Sequence, residues 1–267
     1  MTSDVFSKIE HGRTADAIVQ QVELLILEGI LRSGDQLPGE RELSRTFDVS
    51  RPIVREALKI LENRGLLISR HGGGTFVADL IGEVFSQPVL NLISRHRRAT
   101  HDYLEYRREI EATTAGLAAQ RATSADKNRL SLIVDGMKEA HGKDDFDGEA
   151  ALDVAFHNAI GEAAHNIILL HTLRSCYRLL SNGVFFNRRL VYQYSGSRDH
   201  LLAQHVAIHD AIVSGKVEAA QKAASRHMEF VAQTLREAEQ ANDWARVSDL
   251  RQRSHGSIRD QGPAVSK

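Results

Sequence analysis

The chain has 267 residues, 42% hydrophobic and 26% charged, with a formal net charge of −1. That composition suits a soluble globular protein with material for two domains, and no apolar run reaches the roughly 18 residues of a membrane span. The balanced charge argues against a protein that coats nucleic acid indiscriminately, and the lone Cys176 excludes a disulfide within the chain. The opening MTSDVFSKIE has no apolar signal core, so a cytoplasmic protein is expected.

The first predicted helix is Arg13–Leu31, with Ile18, Val22, Leu25 and Ile26 on its inner face and Gly34-Asp35 in the turn after it. Two short helices follow, Gly39–Phe47 and Arg51–Asn63, with only Asp48-Val49-Ser50 between them. Ser50 suits an N-cap and Pro52 the first turn, where a missing N–H costs nothing. On the second of these helices Val54, Ala57, Leu58 and Leu61 share one face, while Arg51, Arg55 and Lys59 share another at i, i+4, i+8. A hairpin is predicted over Leu66–Val77, its tip at His71-Gly72-Gly73-Gly74. Two helices and a glycine-tipped hairpin in this order make a winged helix-turn-helix, whose second helix can enter the major groove. From Arg41 to His71 seven Lys and Arg face four acids, so positive charge gathers on the motif.

Residues 79–98, broken by Pro88, read as a connection. After it the pattern is helical throughout: Tyr103–Ala122, Ser124–His141, Phe146–Ala164, Ile167–Ser181, Arg198–Ser214 and Lys216–Glu239. The fold class expected is therefore mainly α: a winged helix-turn-helix domain over 1–78, a connection over 79–98, and an all-α helical bundle over 99–240. The polar residues 241–267 are expected to form a disordered tail.

The bundle carries most of the thirteen histidines. Asp153 and His157 are i, i+4 on one helix, His205 lies on the next-to-last and His227 on the last. One carboxylate and three imidazoles form a ligand set for zinc, nickel or manganese. Spacing alone leaves this open between a metal centre and satisfied core histidines. His200 and His209 are candidates for outer partners, and His165 is structural.

The motif region resembles the GntR family of bacterial transcription regulators. The resemblance rests on Leu37-Pro38-Gly39-Glu40-Arg41-Glu42-Leu43-Ser44, Val49-Ser50-Arg51, Val54-Arg55-Glu56-Ala57-Leu58 and Gly72-Gly73-Gly74-Thr75-Phe76-Val77. By motif match it implies Arg41, Arg51 and Arg55 as DNA-facing residues, with His71 and Gly72 at the wing tip. The bundle is similar to the effector (FCD) domain of the FadR subfamily. That likeness rests on Arg107, Glu111, Ala118-Ala119, the Asp153…His157 pair, Glu162 through Asn166, Gln204-His205 and His227.

This second resemblance implies a divalent metal on Asp153, His157, His205 and His227, zinc first. It further implies a small carboxylate effector at Arg107 and Asn166, and a homodimer reading a pseudo-palindromic operator. The first half most resembles repressors of the pyruvate dehydrogenase complex, and the ligand set resembles lactate-responsive members. An effector such as lactate, pyruvate or glycolate is thus expected, and a repressor rather than an enzyme. The alternative is a metal-dependent hydrolase using the same cluster. It lacks HExxH and a nucleophile elbow, and Glu162 is its one candidate base.

Overall fold

Left-handed backbone at Gly29 and Asp48 sets where the first two helices end. The structure, a computed structural model, describes residues 15–70, 73–78, 96–181, 191 and 196–259. Helix α1 (Ala15–Leu27) buries Ile18, Val22, Leu25 and Ile26. It stops short of the predicted Leu31 because Gly29 turns the chain at φ +69°. There the Gly29 N–H bonds to the Ile26 carbonyl and the Ile30 N–H to that of Leu25, a Schellman closure. Helix α2 (Glu40–Phe47) ends at Asp48, whose left-handed backbone (φ 56°) makes the sharp turn. Helix α3 (Arg51–Asn63) starts after Ser50, which has the extended backbone of an N-cap but makes no side-chain cap bond.

Strands β1 (Leu67–Arg70) and β2 (Gly74–Val77) pair antiparallel, with Leu67 opposite Val77 and Arg70 opposite Gly74. The free edge of β2 is met by the chain before α2: the Leu37 N–H donates to the Thr75 carbonyl at 2.9 Å. Gly74 is needed here, since it stands at φ +98° and a Cβ would fall 2.8 Å from Gln36 Nε2. Ile18, Leu43, Phe47, Val54, Leu61, Leu67 and Val77 close one apolar core beneath the motif.

The rest is a helical bundle: α4 (Arg97–Arg121), α5 (Ser124–Gly142), α6 (Phe146–Ala163), α7 (Ile167–Ser181), α8 (Ser197–Val213) and α9 (Val217–Arg259). Thr123 and Asp126 form a reciprocal capping box at the start of α5, and Asp145 caps α6 through the Gly148 N–H. Leu130, Val134, Phe156, Ile160, Ile208 and Ile212 fill one part of the bundle core. Leu104, Leu173, Tyr177, Met228 and Leu235 fill another. Among the described residues the architecture is mainly α with one small sheet. No described helix is long and apolar enough to cross a membrane.

Two expectations need correction. Helix α4 begins at Arg97 rather than Tyr103, so it takes in the end of the segment assigned as a connection; residues 79–95 lie outside the described ones. Helix α9 does not end at Glu239 but runs to Arg259, through most of the expected disordered tail. Residues 240–255 contain no Pro or Gly to end the helix, and their Ala, Arg and Gln favour it. A bidentate ion pair from Arg97 to Asp243 also ties this extension to the start of α4.

Candidate metal centre and nucleic-acid interface

Helical spacing aims Asp153 and His157 from α6 into the bundle, where His205 of α8 and His227 of α9 meet them. All four are buried. One ligand atom from each lies within 4.8 Å of the others. His205 Nε2 is 3.1 Å and His157 Nε2 3.8 Å from Asp153 Oδ1. Two ligands each about 2.1 Å from one ion stand roughly 3–4 Å apart, so this spacing suits a shared cation.

The far sides of the rings carry the same message. His157 Nδ1 lies 2.8 Å from Glu111 Oε2, and His227 Nδ1 lies 3.0 Å from the Gln204 amide oxygen. Each Nδ1–H donates outward, which leaves Nε2 as the ligand atom turned to the centre. Burial, with His205 and His157 nearby, holds the His227 pKa well below its ordinary value, so the ring is neutral as a ligand must be. The residues fit a divalent ion.

Glu111 is the residue that spacing did not reveal. It sits i+4 from Arg107, a spacing that by itself accounts for no more than an ion pair. The pair is present, with Arg107 Nε 2.8 Å from Glu111 Oε1, but it is buried. The Tyr177 hydroxyl donates to the same oxygen at 2.8 Å, and Arg107 lies over the Tyr177 ring at 4.5 Å. One carboxylate thus satisfies Arg107 and Tyr177 through one oxygen and His157 through the other. Burial works to raise the Glu111 pKa, but Arg107 and His157 overcome it and hold the group well below the usual range.

The space around the cluster is small. Glu111, Thr114, His157 and Leu173 help to line a cavity of about 10 Å³, room for roughly one water molecule. A second cavity of about 20 Å³ lies between His205 and the Arg198–Glu149 pair.

Asn166 Oδ1 caps α7 by accepting from the Leu169 N–H at 3.1 Å. Among the described residues no further histidine joins the cluster. His200 bonds the Gly196 carbonyl and stacks on Phe230. His209 contacts Ser131 and Asp210, and His165 contacts Asp126. Glu162, the candidate base of the hydrolase reading, is held by Arg32, Arg129 and Arg174.

On the first domain, Arg41, Arg51 and Arg55 are exposed. Glu40 grips Arg55 with both oxygens, at 3.0 and 2.8 Å, and stands 3.5 Å from Arg51. The Nε and Nη2 donors of Arg55 are therefore occupied by Glu40, and an acceptor on DNA has to displace that carboxylate or use the remaining Nη donors. His71 and Gly72 lie outside the described residues.

A winged helix with an exposed cationic recognition helix, joined to a helical domain with a buried ligand cluster, defines a DNA-binding transcription regulator. The chain belongs to the gntR family of bacterial regulatory proteins, whose model matches residues 14–77, and is of the FadR type, with an FCD domain matched over 102–230. It is 40% identical over 228 residues to an Escherichia coli (strain K12) protein provisionally named L-lactate dehydrogenase operon regulatory protein, spanning 84% of this chain and 87% of that one. It is 32% identical to the Glc operon transcriptional activator of the same organism, spanning 87% and 92%. Among solved structures, the GntR protein of Streptococcus agalactiae superposes with a TM-score of 0.54 at 27% identity, covering 82% of this chain and 99% of that one. These family members are transcriptional regulators, not enzymes.

Proposed function

We propose that the chain is a cytoplasmic homodimeric repressor whose operator affinity is set by a small 2-hydroxy or 2-oxo carboxylate bound at a divalent metal in the bundle. Asp153, His157, His205 and His227 hold the ion, zinc in the first instance. The observation that carries this reading is the convergence of four buried ligand atoms with outward-paired Nδ1 atoms on His157 and His227. When bound, the ion supplies open positions for the carboxylate and neighbouring oxygen of such an acid. The lactate operon in the name of the 40% identical relative favours a 2-hydroxy acid.

Arg107 is the residue that balances the charge of the effector. Its present partner is Glu111, and the adjoining cavity is about 10 Å³. A three-carbon acid therefore has to loosen the Arg107–Glu111 contact and spread the helices around it. That requirement makes binding sensitive to the arrangement of α4 and α6, which is what a regulator needs. On the operator, Arg41, Arg51 and Arg55 reach the bases or phosphates from two winged helices related by a two-fold axis, with His71 and Gly72 at the wing tip.

Calorimetry of the zinc-loaded full chain against lactate, glycolate, pyruvate and a longer fatty acid tests this reading. A short acid should bind, and the same acid should shift operator affinity by a coupling of about 1–3 kcal/mol. Binding of none of the short acids, or binding without any change at the operator, counts against it.

A further inference from the structure

The first domain also touches the bundle directly, and the contact converges on one carboxylate. Glu162 stands near the end of α6, five residues beyond His157, which is about 7.5 Å along a helix axis. Its Oε1 takes Arg32 Nη2 from the turn after α1 and Arg174 Nη2 from α7, both at 2.8 Å. Arg129 of α5 pairs with Oε2. Only 15% of the Glu162 side chain is exposed, and 11% of that of Arg174.

Around this carboxylate the C-terminal end of α1 is held from the bundle side. His171 Nε2 lies 2.9 Å from the Leu27 carbonyl, and Arg174 Nη2 lies 3.4 Å from that of Gly29. Cationic or N–H donors at the negative end of a helix are favourable, and here another domain supplies them. Gly29 permits the approach, because a Cβ there would fall 2.3 Å from Arg174 Nη1. Three arginines from three elements share one acid, so the arrangement depends on Glu162 more than on any single partner.

We propose that Glu162 is a positioning residue that seats the DNA-binding domain on the helix bearing Asp153 and His157. A shift of α6 at the metal centre then reaches the winged helix through Arg32, Arg174 and the turn 27–32, beside any route through the connecting segment. The transmission half of this proposal rests on the metal reading above; the seat itself does not.

Hydrogen exchange by mass spectrometry on the full chain separates the two. In chelator-treated protein, Glu162→Gln should speed exchange of peptides over 27–34 and 167–175 by tenfold or more, with 15–26 unchanged. Arg32→Gln, a change outside the bundle, should do the same to a lesser degree. The double variant should be no faster than Glu162→Gln alone, as expected for two residues acting through one contact. Wild-type rates over 27–34 in both single variants overturn the seat. Zinc added to the wild type should slow 150–161 and also alter 27–34, the second effect being lost in Glu162→Gln. Slowing of 150–161 with 27–34 unmoved overturns transmission. No effect of zinc on 150–161 removes the metal reading and transmission with it, while the two variants still decide the seat.

Discussion

The two domains treat charge in opposite ways. Among the described residues, every buried polar or charged side chain lies in the bundle, and the winged helix has an apolar core with its arginines on the surface. Surface charge costs little, so the reading head can be stable and ready for phosphate and base edges before it meets DNA. The bundle instead buries an arginine, a glutamate, an aspartate and three histidines together around Tyr177 and Phe156. Removing such groups from water costs several kcal/mol each, and only mutual pairing or a bound ion offsets it. One domain thus keeps its charge at the surface, and the other gathers it in its core.

The sharpest way to break this contrast is to leave one buried charge alone. Glu111→Ala strands Arg107 and frees the His157 Nδ1–H, so the bundle should lose about 3–5 kcal/mol in denaturant unfolding. Glu111→Gln should be milder and should cut metal affinity about 10–100-fold, the usual cost of an outer partner. If Glu111→Ala is as stable as the wild type, the buried pair is not the organising element we take it to be.

Metal removal comes next. An ion that binds only the folded state stabilises it by about 4 kcal/mol at a thousandfold excess over Kd, so chelation should lower the Tm of the bundle. The isolated winged helix holds none of the four ligands and should not respond. Equal responses in scanning calorimetry would erase the distinction between the domains.

Acid sharpens the same contrast in metal-free protein. The His227 pKa is held below 6.5 in the fold, so below about pH 6.5 the unfolded chain takes up a proton that the folded one refuses. The Glu111 pKa is held below 4.5, so its contribution is present above that value and lost as pH falls further. Both shifts have the same sign: stability should decline from about pH 6.5 and more steeply below 4.5. A Tm that is flat from pH 7 to 4 would contradict them.

The smallest effect on folding, though not on function, is expected on the surface. Arg55→Ala should leave the Tm within a degree or two and weaken operator binding roughly ten- to a hundredfold, if it reads a base edge. An equal loss on all sequences, with a flatter salt dependence, would make it a phosphate contact.

The two domains also differed in how much their sequences disclosed. Helix α3 runs over Arg51–Asn63 as Pro52 in its first turn and its apolar stripe predict, because those signals are local. The gathering of Asp153, His157, His205 and His227 was visible only with the help of a family pattern, since three helices must meet to form it. Glu111 belongs to the family pattern but its role is not legible there, because i, i+4 spacing explains its bond to Arg107 and says nothing of its second oxygen, which reaches a different helix. The cap that the Asn166 oxygen makes at the start of α7 is likewise not legible in the family pattern, which marks the residue but not its local bond. The extension of α9 was missed for the converse reason: polar composition resembles a tail, but helix propensity does not need an apolar face.

The central claim, that the bundle is built around one divalent ion, is tested most directly by metal stoichiometry. Elemental analysis of the full chain after gentle purification and zinc titration should give one ion per chain, falling well below that in His205→Ala and His227→Ala. No ion retained and none taken up by the wild type, or wild-type occupancy in both variants, would contradict it.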